Sequence, residues 1–360
     1  MIKFLHAADF HLDSPFSGLS PEQAASRRAE QRVMLTALVN CCNENDCQIL
    51  LLSGDLFDST QVYQDTIDAL LQAFSACRAE IFIAPGNHDF YAAGSPYAAV
   101  HWPENVHIFQ SSQISSILLP NLNCRVYGAA FTSPSSTGLL TDFIAPAEDT
   151  VKFMVLHGDV QSPDGPYNPI TTEEIAKSGL DYLALGHVHT RSDLRCAGKT
   201  HYAWPGCPLG RGFDETGEKG VLIGTVSANE CSLTFHSLSG RRYQILRCNA
   251  GADPLASIRS ALPAETKNDI YRIILTGESE PINLRELTNL LAPQFYSVSI
   301  QDQTAFPVSL WASAGENTLR GLYLQLLKAQ LQSTPQERKK IEQAARLGLA
   351  ALDGREVSPL

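Results

Sequence analysis

The sequence has no apolar run approaching the roughly 18 residues that a membrane helix needs, so no membrane-spanning helix is expected. It has no cysteine pair at CxxC spacing. Its nine cysteines are odd in number and scattered, and the cluster Cys41, Cys42, Cys47 lacks a zinc-finger pattern. Reduced thiols in the core or near the surface are the expectation. No signal peptide fits the opening MIKFLHAADFHLD, and a cytoplasmic location follows as an expectation. Internal repeats and low-complexity segments are absent as well.

Basic residues are scarce in the first two thirds. The whole chain carries 27 Lys+Arg against 38 Asp+Glu, a net charge of −11. Residues 241–360 hold 14 basic and 12 acidic residues, whereas residues 1–240 hold 13 basic and 26 acidic. A region that acidic does not draw nucleic acid by its overall field. Two divalent ions bound there would add about +4 locally.

What is present suits a globular α/β protein of 360 residues, 44% hydrophobic and 18% charged. Short apolar runs at Ile2–Ala7, Gln48–Ser53, Glu80–Ala84, Val151–His157 and Asp181–Gly186 read as buried strands. A helix from Pro21 to about Asn43 is expected between the first two, with Ser20-Pro21-Glu22-Gln23 as a capping box. Strand, long helix, strand is the grammar of an α/β layer fold. Leu194–Trp204, Gly220–Val226 and Ser232–Leu238 then read as strands, and Arg241-Arg242 as a boundary. Residues 246–302 alternate helix and strand as a small α/β module. The tail reads as two helices. The first, Asn317–Gln332, has Leu319, Leu322, Leu326 and Leu327 on one face. The second follows a capping box at Thr334–Glu337 and carries Ile341, Ala345, Leu349 and Leu352.

Chemistry-bearing residues stand just after the apolar strands: Asp9-Phe10-His11, Gly54-Asp55-Leu56-Phe57-Asp58, Gly86-Asn87-His88-Asp89, His157-Gly158-Asp159 and Gly186-His187-Val188-His189. Ligands of α/β sheets bind beyond the carboxyl ends of strands, so five such loops can converge. Carboxylates, an amide oxygen and imidazoles suit hard-to-borderline divalent ions. The glycines permit turns that aim the next side chain. His187 and His189 share a face if a strand runs through them. His6, Asp13 and Tyr91 read as structural neighbours of the site.

With D-x-H, G-D-x-x-D, G-N-H-D, a lone His and G-H-x-H in this order, the chain resembles the calcineurin-like metallophosphoesterases. The flanking text LHAADFHLDSPF, LLSGDLFDS, DYLALGHVH and WPGCPLGRGFDETGEKG resembles SbcD/YhaO-type DNA-repair exonucleases, relatives of the meiotic-recombination nuclease. The resemblance is close over about residues 1–240.

It implies a four-layer α/β/β/α sandwich over 1–240, a small α/β capping domain over 241–310 and a helical tail over 311–360 that could dock a partner. It implies Asp9, His11 and His189 on one ion, Asn87, His157 and His187 on the other, and Asp55 bridging both. His88 would not bind metal but face the scissile phosphate as a general acid or transition-state stabiliser. Many of the recombination nucleases carry His where this chain has Asp58, whose carboxylate would pair with His88 as in the phosphatase branch. The ions implied are manganese first, with iron and zinc also accepting this ligand set.

The activity implied is hydrolysis of DNA phosphodiesters by a two-metal-activated hydroxide. Arg241, Arg242, Arg247, Arg259, Lys267, Arg272 and Arg338-Lys339-Lys340 are available for phosphates. The partners implied are DNA, an SbcC/Rad50-like coiled-coil ATPase docked on the tail helices, and a second copy in a homodimer. The alternative is a phosphoesterase for small molecules or nucleotides, favoured by the acidic first 240 residues and the expected Asp58–His88 pair. A decayed, non-enzymatic scaffold does not fit the intact ligand set.

Overall fold

The structure is a computed structural model that describes residues 1–354 apart from Gln161, Pro163, Asn229 and Ser239; the end of the expected tail, 355–360, lies outside the described residues. The chain forms two compact units, Met1–Gly240 and Arg241–Leu360.

Two six-stranded sheets make up the first unit. The strands are β1 (Ile2–Ala7), β2 (Ile49–Leu52), β3 (Glu80–Ile83), β4 (Val106–Ile108), β5 (Ser115–Leu119) and β6 (Cys124–Gly128). They continue as β7 (Val151–His157), β8 (Tyr182–Gly186), β9 (Arg195–Ala197), β10 (Thr200–Ala203), β11 (Gly220–Val226) and β12 (Cys231–Ser237). One sheet runs β12-β11-β1-β2-β3-β4 and the other β5-β6-β7-β8-β10-β9. β1 to β4 are mutually parallel, as are β6, β7, β8 and β10. The expected strand over Leu194–Trp204 is instead a hairpin of β9 and β10, turned at Gly198 with φ +60°.

Strands β2 and β8 are buried along their whole length, as parallel strands covered on both faces must be. Side chains alternate across β1 and β2. Phe4, Ile49 and Leu51 face Phe153, Val155 and Tyr182 of the other sheet, whereas Leu5, Leu50 and Leu52 face helices. Those helices are α1 (Pro21–Glu44), which contributes Leu35 and Leu38, and α2 (Gln64–Ala76), which contributes Leu70 and Phe74. A short α3 (Pro96–Ala99) follows β3, and α4 (Thr172–Lys177) covers the second sheet through Ile175. The result is a four-layer α/β/β/α sandwich. The capping box of α1 is made in full: Ser20 Oγ accepts from Gln23 N, and the Gln23 side chain accepts from Ser20 N.

His6 ties the sheets together. Its Nε2–H donates to Leu185 O at 3.1 Å and lies 3.0 Å from Ser53 Oγ, while Nδ1 accepts from Tyr182 Oη at 2.9 Å. Burial drives its pKa from 6.5 down to about 3, against the pull of the Leu185 carbonyl. Below pH 6.5 the unfolded chain binds a proton that the folded chain refuses until about pH 3. Stability is therefore fully present above pH 6.5 and is lost as pH falls through that window. The expected loss from this group between pH 7.5 and pH 5 is about 2 kcal/mol. Urea midpoints at the two pH values check it: His6→Leu should shrink the difference, whatever that substitution does at pH 7.5.

The second unit opens with β13 (Tyr243–Asn249), α5 (Pro254–Ala261), β14 (Ile270–Thr276), α6 (Leu284–Leu291) and β15 (Ser297–Asp302), with three parallel strands in that order. Asp253 and Asn283 cap the two helices, which pack Ile258, Leu287 and Leu291 on Tyr271, Ile273 and Leu275. Of the expected phosphate-binding cations, Arg242 is held by Asp269 at 2.7 Å, and Arg241 donates to Asn268 O and stacks on Tyr296. Arg247, Arg259 and Lys267 are exposed.

Helices α7 (Leu319–Ser333) and α8 (Arg338–Leu352) complete the unit. Ile341, Ala345 and Leu349 fold back on Phe306, Trp311 and Leu324, and Leu327 packs there too. Leu319, Leu322 and Leu326 are left exposed. The capping box expected at Thr334–Glu337 does not form. The Thr334 hydroxyl donates back to Gln330 O at 2.8 Å, and a short 3-10 turn, Pro335–Glu337, precedes α8. All nine cysteines are free. Among the described residues no helix is long and apolar enough to cross a membrane.

Candidate metal centre

Five loops leave the carboxyl ends of β1, β2, β3, β7 and β8 and meet between the two sheets. Register brings them level: Ala7 pairs with Leu52, Leu52 with Ile83, and His157 with Gly186. The first two loops continue the strand ladder, since Asp9 N donates to Gly54 O, His11 N to Asp55 O and Asp58 N to Leu12 O. Asp9, His11, Asp55 and His187 all have positive φ, between 45° and 86°. Asp and His tolerate this region better than most residues, yet each such residue costs about 1 kcal/mol or more. Strain at four chemistry-bearing side chains marks a site rather than a packing solution.

The glycines are needed chiefly for the room that a missing Cβ leaves, as expected, and less for an unusual φ. Only Gly54 of the four has positive φ, at +84°. Gly86 and Gly186 are needed because other groups come close: a Cβ on Gly86 would overlap Asp55 Oδ1, and one on Gly186 would overlap the Ser53 carbonyl and crowd His157 Nδ1. Gly186→Ala is therefore expected to displace His157 and lower turnover of an aryl phosphodiester about 10²-fold. Steady-state kinetics, with circular dichroism to confirm folding, checks it.

Two clusters result. In the first, His11 Nε2 and His189 Nε2 lie 3.2 Å apart, with Asp9 within 4.8 Å of both. In the second, His157 Nε2 lies 3.0 Å from Asn87 Oδ1 and 3.3 Å from His187 Nδ1. Asp55 Oδ2 stands between them, 3.6 Å from His11 Nε2 and 3.4 Å from His157 Nε2. Asp9 also belongs to a group with Asp55 and His157. His187 and His189 do not share a strand face as expected. β8 ends at Gly186, and the positive φ of His187 turns the two rings toward different clusters.

This arrangement fits a pair of cations. Imidazole nitrogens 3.2–3.3 Å apart repel unless one is protonated or both lone pairs point at an ion. Asp9 is fully buried, and its Oδ2 has no hydrogen-bond partner. The buried carboxylates and rings also shift one another. Burial opposes ionisation of Asp55, but His157, His11 and His88 outweigh it and hold its carboxyl far below the usual range. Burial likewise lowers the His157 pKa, yet Asp55 and Asp9 lift it to about 9.

His88 is exposed at the mouth of the site. Its Nδ1 lies 3.0 Å from Asp58 O, and its backbone N donates to Asp55 Oδ1. The expected partner was the Asp58 carboxylate. The backbone carbonyl takes that place because the carboxylate is engaged elsewhere: Oδ1 accepts from Ser14 Oγ and Arg211 Nη1 and lies 3.2 Å from His11 Nδ1.

The sequence profile of the family described as calcineurin-like phosphoesterase matches residues 2–191. The chain belongs to the calcineurin-like phosphoesterases. It is also 30% identical over 306 residues to an uncharacterized metallophosphoesterase, YhaO, of Bacillus subtilis (strain 168), covering 82% of this chain and 73% of that protein. Among solved structures it is similar to a dimetal phosphatase from Danio rerio at 11% identity and TM-score 0.41, covering 66% of this chain and 99% of that one. A second is TT1561 of Thermus thermophilus, at 12% identity and TM-score 0.40, covering 65% and 98%.

The phosphoesterase site has supports that motif reading missed. Glu215 Oε1 accepts from His189 Nδ1 at 2.7 Å, and Arg211 reaches both Glu215 and Asp58. Burial lowers the His189 pKa, but Glu215 more than restores it, leaving a net rise. A carboxylate on the far nitrogen fixes the ring and raises its basicity toward a metal. Asp89 accepts from Leu56 N, Phe57 N, Gly86 N and Tyr97 Oη, clamping the second and third loops together. The only sequence signal for Arg211 and Glu215 was their place in WPGCPLGRGFDETGEKG.

Proposed function

We propose that this phosphoesterase is a manganese-dependent nuclease that hydrolyses DNA phosphodiesters. The carrying observation is that Glu215 and Arg211, from one of the stretches that resemble the DNA-repair exonucleases, are bonded to His189 and Asp58 within the site. Asp9, His11 and His189 would hold one ion and Asn87, His157 and His187 the other, with Asp55 shared; iron and zinc suit the same donors. Bound divalent ions supply Lewis acidity toward the phosphoryl oxygens and lower the pKa of a coordinated water.

His88 does the proton work. With Nδ1–H donating to Asp58 O, the ring is oriented and Nε2 is left to face substrate. A proton held at Nε2 passes to the leaving oxygen, and the ring's positive charge offsets the charge that builds on the phosphoryl group. Asp58 acts through its backbone and through His11, not as the acid itself.

Free thiols throughout suit a reducing compartment, and we place the protein in the cytoplasm. The exposed stripe Leu319, Leu322, Leu326 on α7 is the surface we assign to a coiled-coil ATPase. A small-phosphoester reading keeps one specific support, the acidic balance of residues 1–240.

End-labelled linear DNA and a small aromatic phosphodiester, each with manganese, separate the two. The nuclease should degrade the DNA, and His88→Ala should slow it about 10²-fold or more. Turnover of the ester with DNA left intact would remove the nuclease reading. Equal cutting by His88→Ala would remove His88 from its role.

A further inference from the structure

The two ion clusters are supported from behind in different ways. In the second, His157 Nδ1 faces a backbone carbonyl, Ser53 O, at 2.9 Å. In the first, both imidazoles are backed by carboxylates. His189 Nδ1 lies 2.7 Å from Glu215 Oε1, and His11 Nδ1 lies 3.2 Å from Asp58 Oδ1. One guanidinium joins these carboxylates: Arg211 Nη1 donates to Asp58 Oδ1 at 3.1 Å and Nη2 to Glu215 Oε1 at 2.8 Å. The Arg211 backbone N adds a bond to Glu215 Oε2 at 2.7 Å.

From this geometry we infer that Arg211 is a positioning residue for one ion only, the one held by Asp9, His11 and His189. The inference rests on the two-ion reading of the site. The physical argument is that a planar fork with donors on both sides can hold two carboxylates at a fixed separation. Those carboxylates in turn fix the tautomer and direction of two rings whose Nε2 atoms must converge on one point. Geometry leaves the hold on His11 delicate: its Nδ1 is near Asp58 yet outside hydrogen-bond alignment, so the position of Asp58 decides whether the contact closes. Without the guanidinium, Asp58 and Glu215 repel each other and both rings loosen together. Arg211 donates to Glu215 and Asp58, its Nη2 lies 3.2 Å from the His189 Nδ1 whose proton goes to Glu215, and it bonds to no member of the Asn87, His157 and His187 cluster among the described residues.

Manganese titration of the metal-free full chain tests this, with free ion counted by electron paramagnetic resonance and binding heats fitted to two sites. Wild type should take up two ions. Arg211→Gln should weaken one by about 10- to 100-fold and leave the other within twofold. Arg211→Lys keeps the charge but not the fork, and should fall between them. Melting of each metal-free variant shows that the fold survives; if Arg211→Gln does not fold, Arg211→Lys carries the same comparison. Two ions bound with unchanged affinity, or both weakened equally, would overturn the role of Arg211. Fewer than two ions in wild type would overturn the two-ion reading itself, a result read before any variant is made.

Discussion

Asp55→Asn is expected to remove phosphoester hydrolysis, by about 10³-fold or more, while leaving the chain folded. The substitution keeps the size of the side chain, so the amide carbonyl can still accept the bond from His88 N that Asp55 Oδ1 accepts now. What it removes is the negative charge 3.6 Å from His11 Nε2 and 3.4 Å from His157 Nε2, between the two clusters. Two cations that share a carboxylate are shielded from each other by it, and replacing the anion with a neutral amide costs each of them a ligand. A loss of roughly 4 kcal/mol in the transition state corresponds to the stated 10³-fold. Steady-state turnover at saturating manganese, with circular dichroism alongside, is the check. Activity within tenfold of wild type would mean that Asp55 does not serve both ions.

Asp89→Ala is expected to act on stability instead. Asp89 is buried, and its carboxylate accepts three backbone N–H groups and the Tyr97 hydroxyl. Burial and the charge of Asp55 push its pKa up, while Tyr97 and the backbone donors pull the other way. Alanine would strand four donors out of reach of water, at about 1–3 kcal/mol each. The sum, on the order of 4–12 kcal/mol, is comparable with the whole stability of a domain, about 5–15 kcal/mol. Thermal melting in chelator should show a drop of more than about 10 °C or no folded protein at all. A melting temperature within a few degrees of wild type would show that the two loops hold without this clamp.

How legible these features were in the sequence depended on how local their causes are. The strands β1, β2, β3, β7 and β8 could be read because each is short and mostly apolar, as covered parallel strands require. β5 was not read, since its Ser115–Leu119 run is largely exposed and only Ile117 and Leu119 turn inward, half-buried. That these metal-type residues come together was legible because each stands at the end of a strand or just past it. The partners of those ligands were not. Asp58 was matched with His88 on motif grounds, but which atom of Asp58 meets the ring depends on Arg211, which lies far along the chain. Glu215 reaches His189 from a loop whose path no spacing rule describes. The failed cap at Thr334 has the same origin: the residue types were right, but the hydroxyl had a nearer acceptor in the preceding turn.

A site for two divalent ions that share Asp55 is tested most directly by counting the ions. The metal-free chain is dialysed against manganese, and bound metal per chain is measured together with the low-temperature electron paramagnetic resonance spectrum. The expected result is two ions per wild-type chain with the spectrum of a coupled pair about 3.5–4 Å apart, and at most one uncoupled ion in Asp55→Asn. A single ion in the wild type, or two ions with no magnetic coupling, would contradict the account.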